Sequence, residues 1–398
     1  GVADPGWSVS ASFFDYDRDG RLDLFVSHYV EYRLQRCLQA STLPDYCGPK
    51  SYTPERDTLF HNLGGGRFED VSPKLLGNRR EGAGLGVVSG DYDGDGWVDL
   101  YVANDGSDNH LWLNEAGRAL RESGLLSGAA LSWSGVAQAG MGTDAGDVDG
   151  DGDLDLFVTN LVSEGNSLYT NIGRGLFEDR SSSSGLAAPS LPWTGFGARF
   201  LDYDNDGVLD LAVVNGAVHL KHAWSSTSAL AEPMQIYRGL GGGRFEDQTA
   251  KAGDAVARRD VSRGLATGDV DNDGDIDLLI GNADAPARLL LNNAGQQQPW
   301  IGLRLVEADG RRDAYGARVV LRRRGAPDLV RHVHADGSYA STSDPRLLFG
   351  LGGGRNLVAV DVQWPGGSPL TSHERFAVPP LQAYSTLRRG TGRAVVPQ

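Results

Sequence analysis

Short apolar runs rich in strand-forming residues recur along the first three-quarters of the chain. Leu24-Phe25-Val26, Leu100-Tyr101-Val102, Leu156-Phe157-Val158, Leu211-Ala212-Val213 and Leu278-Leu279-Ile280 each follow an acidic loop. Glycine-rich apolar stretches such as Gly84-Leu85-Gly86-Val87-Val88 and Gly195-Phe196-Gly197-Ala198 precede the loops. Runs of this length on both sides of a turn predict a β-hairpin. About thirty residues further on comes a third strand, as in Thr58-Leu59-Phe60, His110-Leu111-Trp112, Ser167-Leu168-Tyr169, Gln235-Ile236-Tyr237 and Arg288-Leu289-Leu290. A glycine turn then leads to a fourth, clearest at Phe68, Phe177 and Phe245. The loops begin at 15, 91, 147, 202 and 269, a period of 55 to 76 residues. Four short antiparallel strands per repeat predict an all-β chain, with a β-propeller of about five recognisable blades.

The loops read DYDRDGRLD, DYDGDGWVD, DVDGDGDLD, DYDNDGVLD and DVDNDGDID. Aspartates stand at positions one, three, five and nine, and glycine at six. These are Asp15, Asp17, Asp19 and Asp23; Asp91, Asp93, Asp95 and Asp99; Asp147, Asp149, Asp151 and Asp155; Asp202, Asp204, Asp206 and Asp210; Asp269, Asp271, Asp273 and Asp277. Carboxylates on alternate residues of a tight turn converge and repel unless a hard cation sits among them, which suits calcium. Position seven varies freely (Arg21, Trp97, Asp153, Val208, Asp275), as expected if only its backbone carbonyl is used. An EF-hand would need flanking helices and a glutamate at position twelve, and the flanks here are strands. About five structural Ca²⁺ ions are therefore expected.

The pattern GD(Y/V)DxDGxxDL followed by NxLYxNxGxGxFxD resembles the FG-GAP/VCBS calcium-loop repeats familiar from integrin α-subunit propellers. The tail, with Gly316-Ala317-Arg318-Val319, Gly337-Ser338-Tyr339-Ala340-Ser341-Thr342-Ser343-Asp344-Pro345, Phe349-Gly350-Leu351-Gly352 and Val362-Gln363-Trp364-Pro365-Gly366-Gly367, resembles the ASPIC/UnbV domain. Together they resemble cartilage-acidic-protein-like and UnbV-like proteins. The resemblance implies a calcium-loaded propeller over residues 1–297 and a β-sandwich-like domain over 298–398, with Tyr339 and Trp364 expected in the sandwich core. It implies little chemistry.

Two features depart from a regular ring. The fifth repeat lacks a fourth strand, because Leu291-Asn292 runs within ten residues into Trp300-Ile301-Gly302-Leu303. The strand that would precede Asp15 at the usual distance projects before residue 1. Either upstream residues complete the ring or it closes by another route; an unpaired edge would expose backbone donors and acceptors.

The formal charge of −15 changes meaning once metal is considered: five divalent ions would bring it to −5. The acidity is then a metal requirement rather than an acidic binding face, and no basic concentration points to nucleic acid. The two cysteines, Cys37 and Cys47, are expected to form a disulfide within one insertion. A disulfide and weak calcium loops both favour a secreted or periplasmic location. No membrane span or signal peptide is visible, and a monomer is expected.

The insertions at 29–57, 121–135, 216–234 and 248–262 fall on the face away from the acidic turns, where binding and catalysis usually sit. Strand ends there carry His28, Asn104, Asn160, Asn215 and Asn282. Trp7, Trp133 and Trp193 are expected near the axis, and the 216–234 insertion brings His219, His222 and Trp224. An aromatic mouth with amides and imidazoles suits a sugar or a planar small molecule. The asparagines read equally as caps on backbone groups, and the tryptophans as filling of the throat. No GxSxG, HExxH, Walker A or Rossmann pattern is present. The reading is a secreted propeller that binds a glycan, protein or small molecule on that face. Its alternative is a cofactor-independent enzyme of natural-product biosynthesis catalysing a cyclisation or rearrangement, with His28, Asp105 and His222 as candidate catalytic groups.

Overall fold

The computed structural model describes residues 2–38, 44–45, 47–77, 81–219, 229–283, 285–354, 356–366 and 372–395. Four antiparallel four-stranded sheets and one three-stranded sheet follow each other along residues 8–290. Their first strands are Ser8–Phe14, Gly84–Gly90, Thr143–Gly146, Gly195–Leu201 and Ser262–Gly268. Each of the first four packs against the first strand of the next sheet, so the five are the inner strands of successive blades. The fifth blade ends at its third strand, Arg288–Leu290, as the missing fourth strand predicts.

Glycine is needed on the inner strands because neighbouring backbones come close. A Cβ on Gly142 would lie 2.0 Å from the Phe196 carbonyl oxygen, and one on Gly197 would lie 2.6 Å from the Leu265 nitrogen. Between blades the alternate side chains form dry layers. Phe177 packs with Tyr92, Leu111 and Leu156, and Phe245 with Phe157, Leu168 and Leu211. Burial of such large apolar groups contributes about 2–3 kcal/mol each.

A side-chain bond also stitches the blades. An asparagine at or just past the end of the third strand donates from Nδ2 to a carbonyl in the preceding blade's acidic turn: Asn114 to Tyr16 (2.9 Å), Asn171 to Tyr92 (2.8 Å) and Asn292 to Tyr203 (2.8 Å). The fourth blade has Gly239 at this place, and the Val148 carbonyl there accepts the Gly243 N–H at 3.1 Å.

From Trp300 onward the chain forms a three-stranded and a five-stranded sheet around a second core containing Ile301, Val319, Phe349, Val360 and Trp364. Trp364 is thus where the sequence predicts it. Tyr339 is not. The segment 336–344 leaves this second core and enters the propeller axis, where the Tyr339 ring meets Phe196 edge-on at 4.9 Å. A residue flanked by turn formers can leave its own sheet, and the gap between five inner strands is the apolar space available to it.

Candidate functional site

The acidic turns have one geometry throughout. Position-six glycines Gly20, Gly96, Gly152, Gly207 and Gly274 have φ between +87° and +99°, where a Cβ is strained. Position four is left-handed too, at Arg18, Gly94, Gly150, Asn205 and Asn272. This curl brings alternate carboxylates together. Ligand-capable atoms lie within 4.8 Å of one another in Asp15/Asp17/Asp19, Asp91/Asp93/Asp99, Asp147/Asp149/Asp155 and Asp202/Asp204/Asp206.

The position-nine aspartates are fully buried and each accepts two backbone N–H groups. Asp155, for instance, accepts from Val148 at 2.9 Å and Asn171 at 2.8 Å. These bonds tie the turn to the second and third strands. His61, which sequence reasoning passed over, lies 3.1 Å from Asp23 and 3.5 Å from Asp17.

Burial, reinforced by neighbouring carboxylates, pushes several of these acids upward: Asp15 to about 6, Asp91 and Asp202 to about 7, Asp155 to about 8 and Asp210 to about 9. Asp15 Oδ1, Asp202 Oδ1 and both oxygens of Asp275 are buried with no protein hydrogen bond. Buried oxygens in all-carboxylate clusters fit a hard divalent cation.

Arginines of the tail reach the same turns. Arg312 is 3.6 Å from Asp15 and Arg331 4.0 Å from Asp202. Arg318 donates to the Gly152 carbonyl at 3.2 Å, and Arg346 to the Asp269 carbonyl at 2.9 Å. The second core therefore docks on the acidic-turn face.

At the opposite end of the axis is a cavity of about 580 Å³. Val9, Leu85, Met141 and Phe196, one from each of the first four blades, form its apolar ring, with Arg263 of the fifth lying over the Phe196 ring at 4.0 Å. The insertions at 29–57 and 216–234 wall it with Tyr29, Pro49, Val218 and His219, as their position predicts. Asp105 is the acid in this mouth. Tyr29 donates its hydroxyl to Asp105 Oδ2 at 2.7 Å, while burial raises the carboxyl against the lowering effects of Tyr29, His219 and Lys50.

The other expected mouth residues are distributed differently. Trp7 lines the cavity, 45% exposed and edge-on to Tyr29. Trp133 is 77% exposed on an outward loop, its backbone N–H donating to the Asp179 carboxylate of an outer strand. Trp193 lies under Arg259, outside the cavity lining. An aromatic residue in a loop carries no signal for the direction in which the loop leaves.

His28 is buried beneath the N-terminal segment, 3.3 Å from both Ser8 and Asp4, and is not part of the mouth. Asn104, Asn160, Asn215 and Asn282 donate to the Asp108, Gly165, Pro233 and Pro286 carbonyls at 2.7–2.8 Å, so they cap their own loops. His222 and Trp224 lie outside the described residues. Cys37 and Cys47 are disulfide-bonded, with Cys47 beside the mouth.

With this geometry in place, the family matches fall where the two halves divide. The FG-GAP-like repeat family matches residues 44–102, 91–158 and 147–213, and the ASPIC and UnbV family matches 307–392. The chain is an FG-GAP repeat protein with an ASPIC/UnbV domain. Cartilage acidic protein 1 is 23% identical in Mus musculus over 92% of this chain and 62% of its own length, and 23% in Homo sapiens over 92% and 61%. The chain thus spans less than two-thirds of the length of those relatives.

Among solved structures, similarity is found to an Agrocybe aegerita lectin that recognises non-reducing terminal N-acetylglucosamine (TM-score 0.39, 15% identity, 73% of this chain and 67% of that one). It is also found to the BP39L lectin of Burkholderia pseudomallei (TM-score 0.37, 10% identity, 91% and 98%). Among the described residues, no helix is long and apolar enough to cross a membrane.

Proposed function

We propose that this chain is a calcium-stabilised propeller, working outside the cytosol, that binds a small and mainly apolar molecule carrying one polar group in its axial mouth. The carrying observation is the 580 Å³ cavity ringed by Val9, Leu85, Met141 and Phe196, with Asp105 and Tyr29 as its hydrogen-bonding pair. An apolar wall with a few fixed polar groups is the usual character of a small-molecule site. The wall is largely aliphatic, which favours an apolar skeleton over a sugar, whose hydroxyls would go unpaired against it.

The acidic turns would hold calcium through the first, third, fifth and ninth aspartates. The ion would supply charge neutralisation to the hairpins, a structural task distant from the mouth. The Cys37–Cys47 disulfide supports an oxidising compartment.

A second reading is favoured by one observation. The Asp105 carboxyl is raised by burial, and an acid so placed can hold a proton for delivery to an apolar substrate. Catalysis would then occur at the binding site itself. Incubating the protein with a mixed natural-product extract, followed by gel filtration and mass spectrometry, tests both. A retained apolar compound, lost when Leu85→Trp fills the ring, supports binding; a new compound abolished by Asp105→Asn supports catalysis. Selective retention on a glycan array with no apolar compound bound would refute the reading.

A further inference from the structure

The segment carrying Tyr339 is fastened to all five blades. Asp336 accepts the Ser89 N–H (3.1 Å) and Ser89 hydroxyl (2.6 Å), together with the Ser12 hydroxyl. Gly337 N–H donates to the Val87 carbonyl at 3.0 Å. Ser338 exchanges backbone hydrogen bonds with Thr143 of the third blade. Arg199 of the fourth blade, paired with buried Asp144 at 3.0 Å, donates to the Asp336 carbonyl. Asp344 N–H reaches the Thr267 carbonyl of the fifth at 2.9 Å, and Ala340 N–H returns to Ser10 Oγ of the first at 3.1 Å.

These bonds hold an unfavourable backbone. Ser338 (φ +61°) and Ala340 (φ +44°), neither of them glycine, are both left-handed, immediately before and after Tyr339. Such conformations are costly and persist where the surroundings over-determine them, commonly at ligand clamps. The result is a tyrosine presented at the bottom of the mouth, lining the same cavity as Asp105 and His219. Its hydroxyl makes no hydrogen bond to a described residue, although its ring packs on Phe196. An anchored ring with an uncommitted donor is what a ligand contact requires, and packing alone would be served by phenylalanine.

We infer that Tyr339 is a ligand-contacting, specificity-determining residue of the axial mouth, so that the ASPIC/UnbV domain supplies part of the binding site in the propeller. The ligand class is an apolar ring or chain bearing a hydroxyl or another small polar group at the end that faces Tyr339. This rests on the binding reading proposed above and assigns the floor of that site to the tail.

The test uses the full chain and N-phenyl-1-naphthylamine, a neutral fluorescent probe, displaced by 2-naphthol or by 2-methylnaphthalene. Wild type should bind the probe and prefer 2-naphthol. Tyr339→Phe keeps the ring, so it should bind 2-methylnaphthalene as before and lose about tenfold of the preference for 2-naphthol. Tyr339→Ala should weaken both compounds while the protein still melts cooperatively. Probe binding abolished by Leu85→Trp but indifferent to both Tyr339 variants would overturn the inference and leave the mouth reading intact. No probe binding by wild type, or binding unaffected by Leu85→Trp, would overturn the mouth reading and the inference with it.

Discussion

Stripping divalent cations should destabilise this protein more than any single substitution. A ligand that binds only the folded state adds RT ln(1 + [L]/Kd), about 1.4 kcal/mol per site when calcium is about tenfold above the dissociation constant. Five turns loading independently would add about 7 kcal/mol, comparable with the whole stability of many domains, about 5–15 kcal/mol. At about 2.1 cal/mol/K of unfolding entropy per residue, a unit of this size should lose roughly 10 °C of melting temperature.

The metal-free chain should also show a characteristic pH dependence. Asp15, Asp91, Asp202, Asp155 and Asp210 rise to between about 6 and about 9 in the folded chain, mainly through burial. An unfolded aspartate titrates near about 4. Between those values the folded state binds more protons than the unfolded one, so stability falls as pH rises from about 4 through about 9. Calcium replaces those protons and should remove the trend. Melting by circular dichroism at pH 5.5 and 8, with EGTA and after calcium add-back, reads both effects, with native mass spectrometry counting ions. An unchanged melt in protein verified as metal-free, or a metal-free protein more stable at pH 8 than at pH 5.5, would refute the reasoning.

Four further outcomes follow from named contacts. Gly152→Ala places a Cβ at φ +99°, 2.7 Å from Arg318, and should cost about 1–3 kcal/mol in urea unfolding with loss of one bound ion. Asp155→Asn turns one of two accepting oxygens into a donor facing a backbone N–H, and should cost about 3–5 kcal/mol by the same measurement. Tyr29→Phe removes a hydroxyl that lowers Asp105; if a neutral probe binds best to the uncharged carboxyl, the pH at which binding weakens should move upward in a fluorescence titration. Reducing the Cys37–Cys47 disulfide should loosen probe binding, because Cys47 flanks the mouth, at an entropic cost of about 2–3 kcal/mol confined to that insertion.

The acidic turns and the strand order were legible in the sequence because both are local. A nine-residue pattern fixes each turn, and apolar runs on either side of it fix the hairpin. The missing fourth strand at Leu291 was legible for the same reason. What could not be seen was long-range. Ser12 and Asp336 touch across 324 residues, and no periodicity in either segment announces it. Tyr339 accordingly read as ordinary sandwich core. The arginines at 312, 318, 331 and 346 carried no signal in the sequence, because only the docked arrangement places them beside Asp15, Gly152, Asp202 and Asp269. The mouth was half legible: insertion lengths located it, but they could not say that Trp133 turns outward while Asp105 turns in.

The threaded tail has a consequence for synthesis. A ribosome delivers the first inner strand some three hundred residues before the segment that completes its hydrogen bonds, so the nascent blades wait with an open, apolar throat. Native topology of this kind slows folding and leaves intermediates prone to association. A chain halted at residue 297 is expected to emerge as a sticky, chaperone-bound species; its release as a soluble, cooperatively melting protein would mean that the central thread arrives as decoration on an already finished ring.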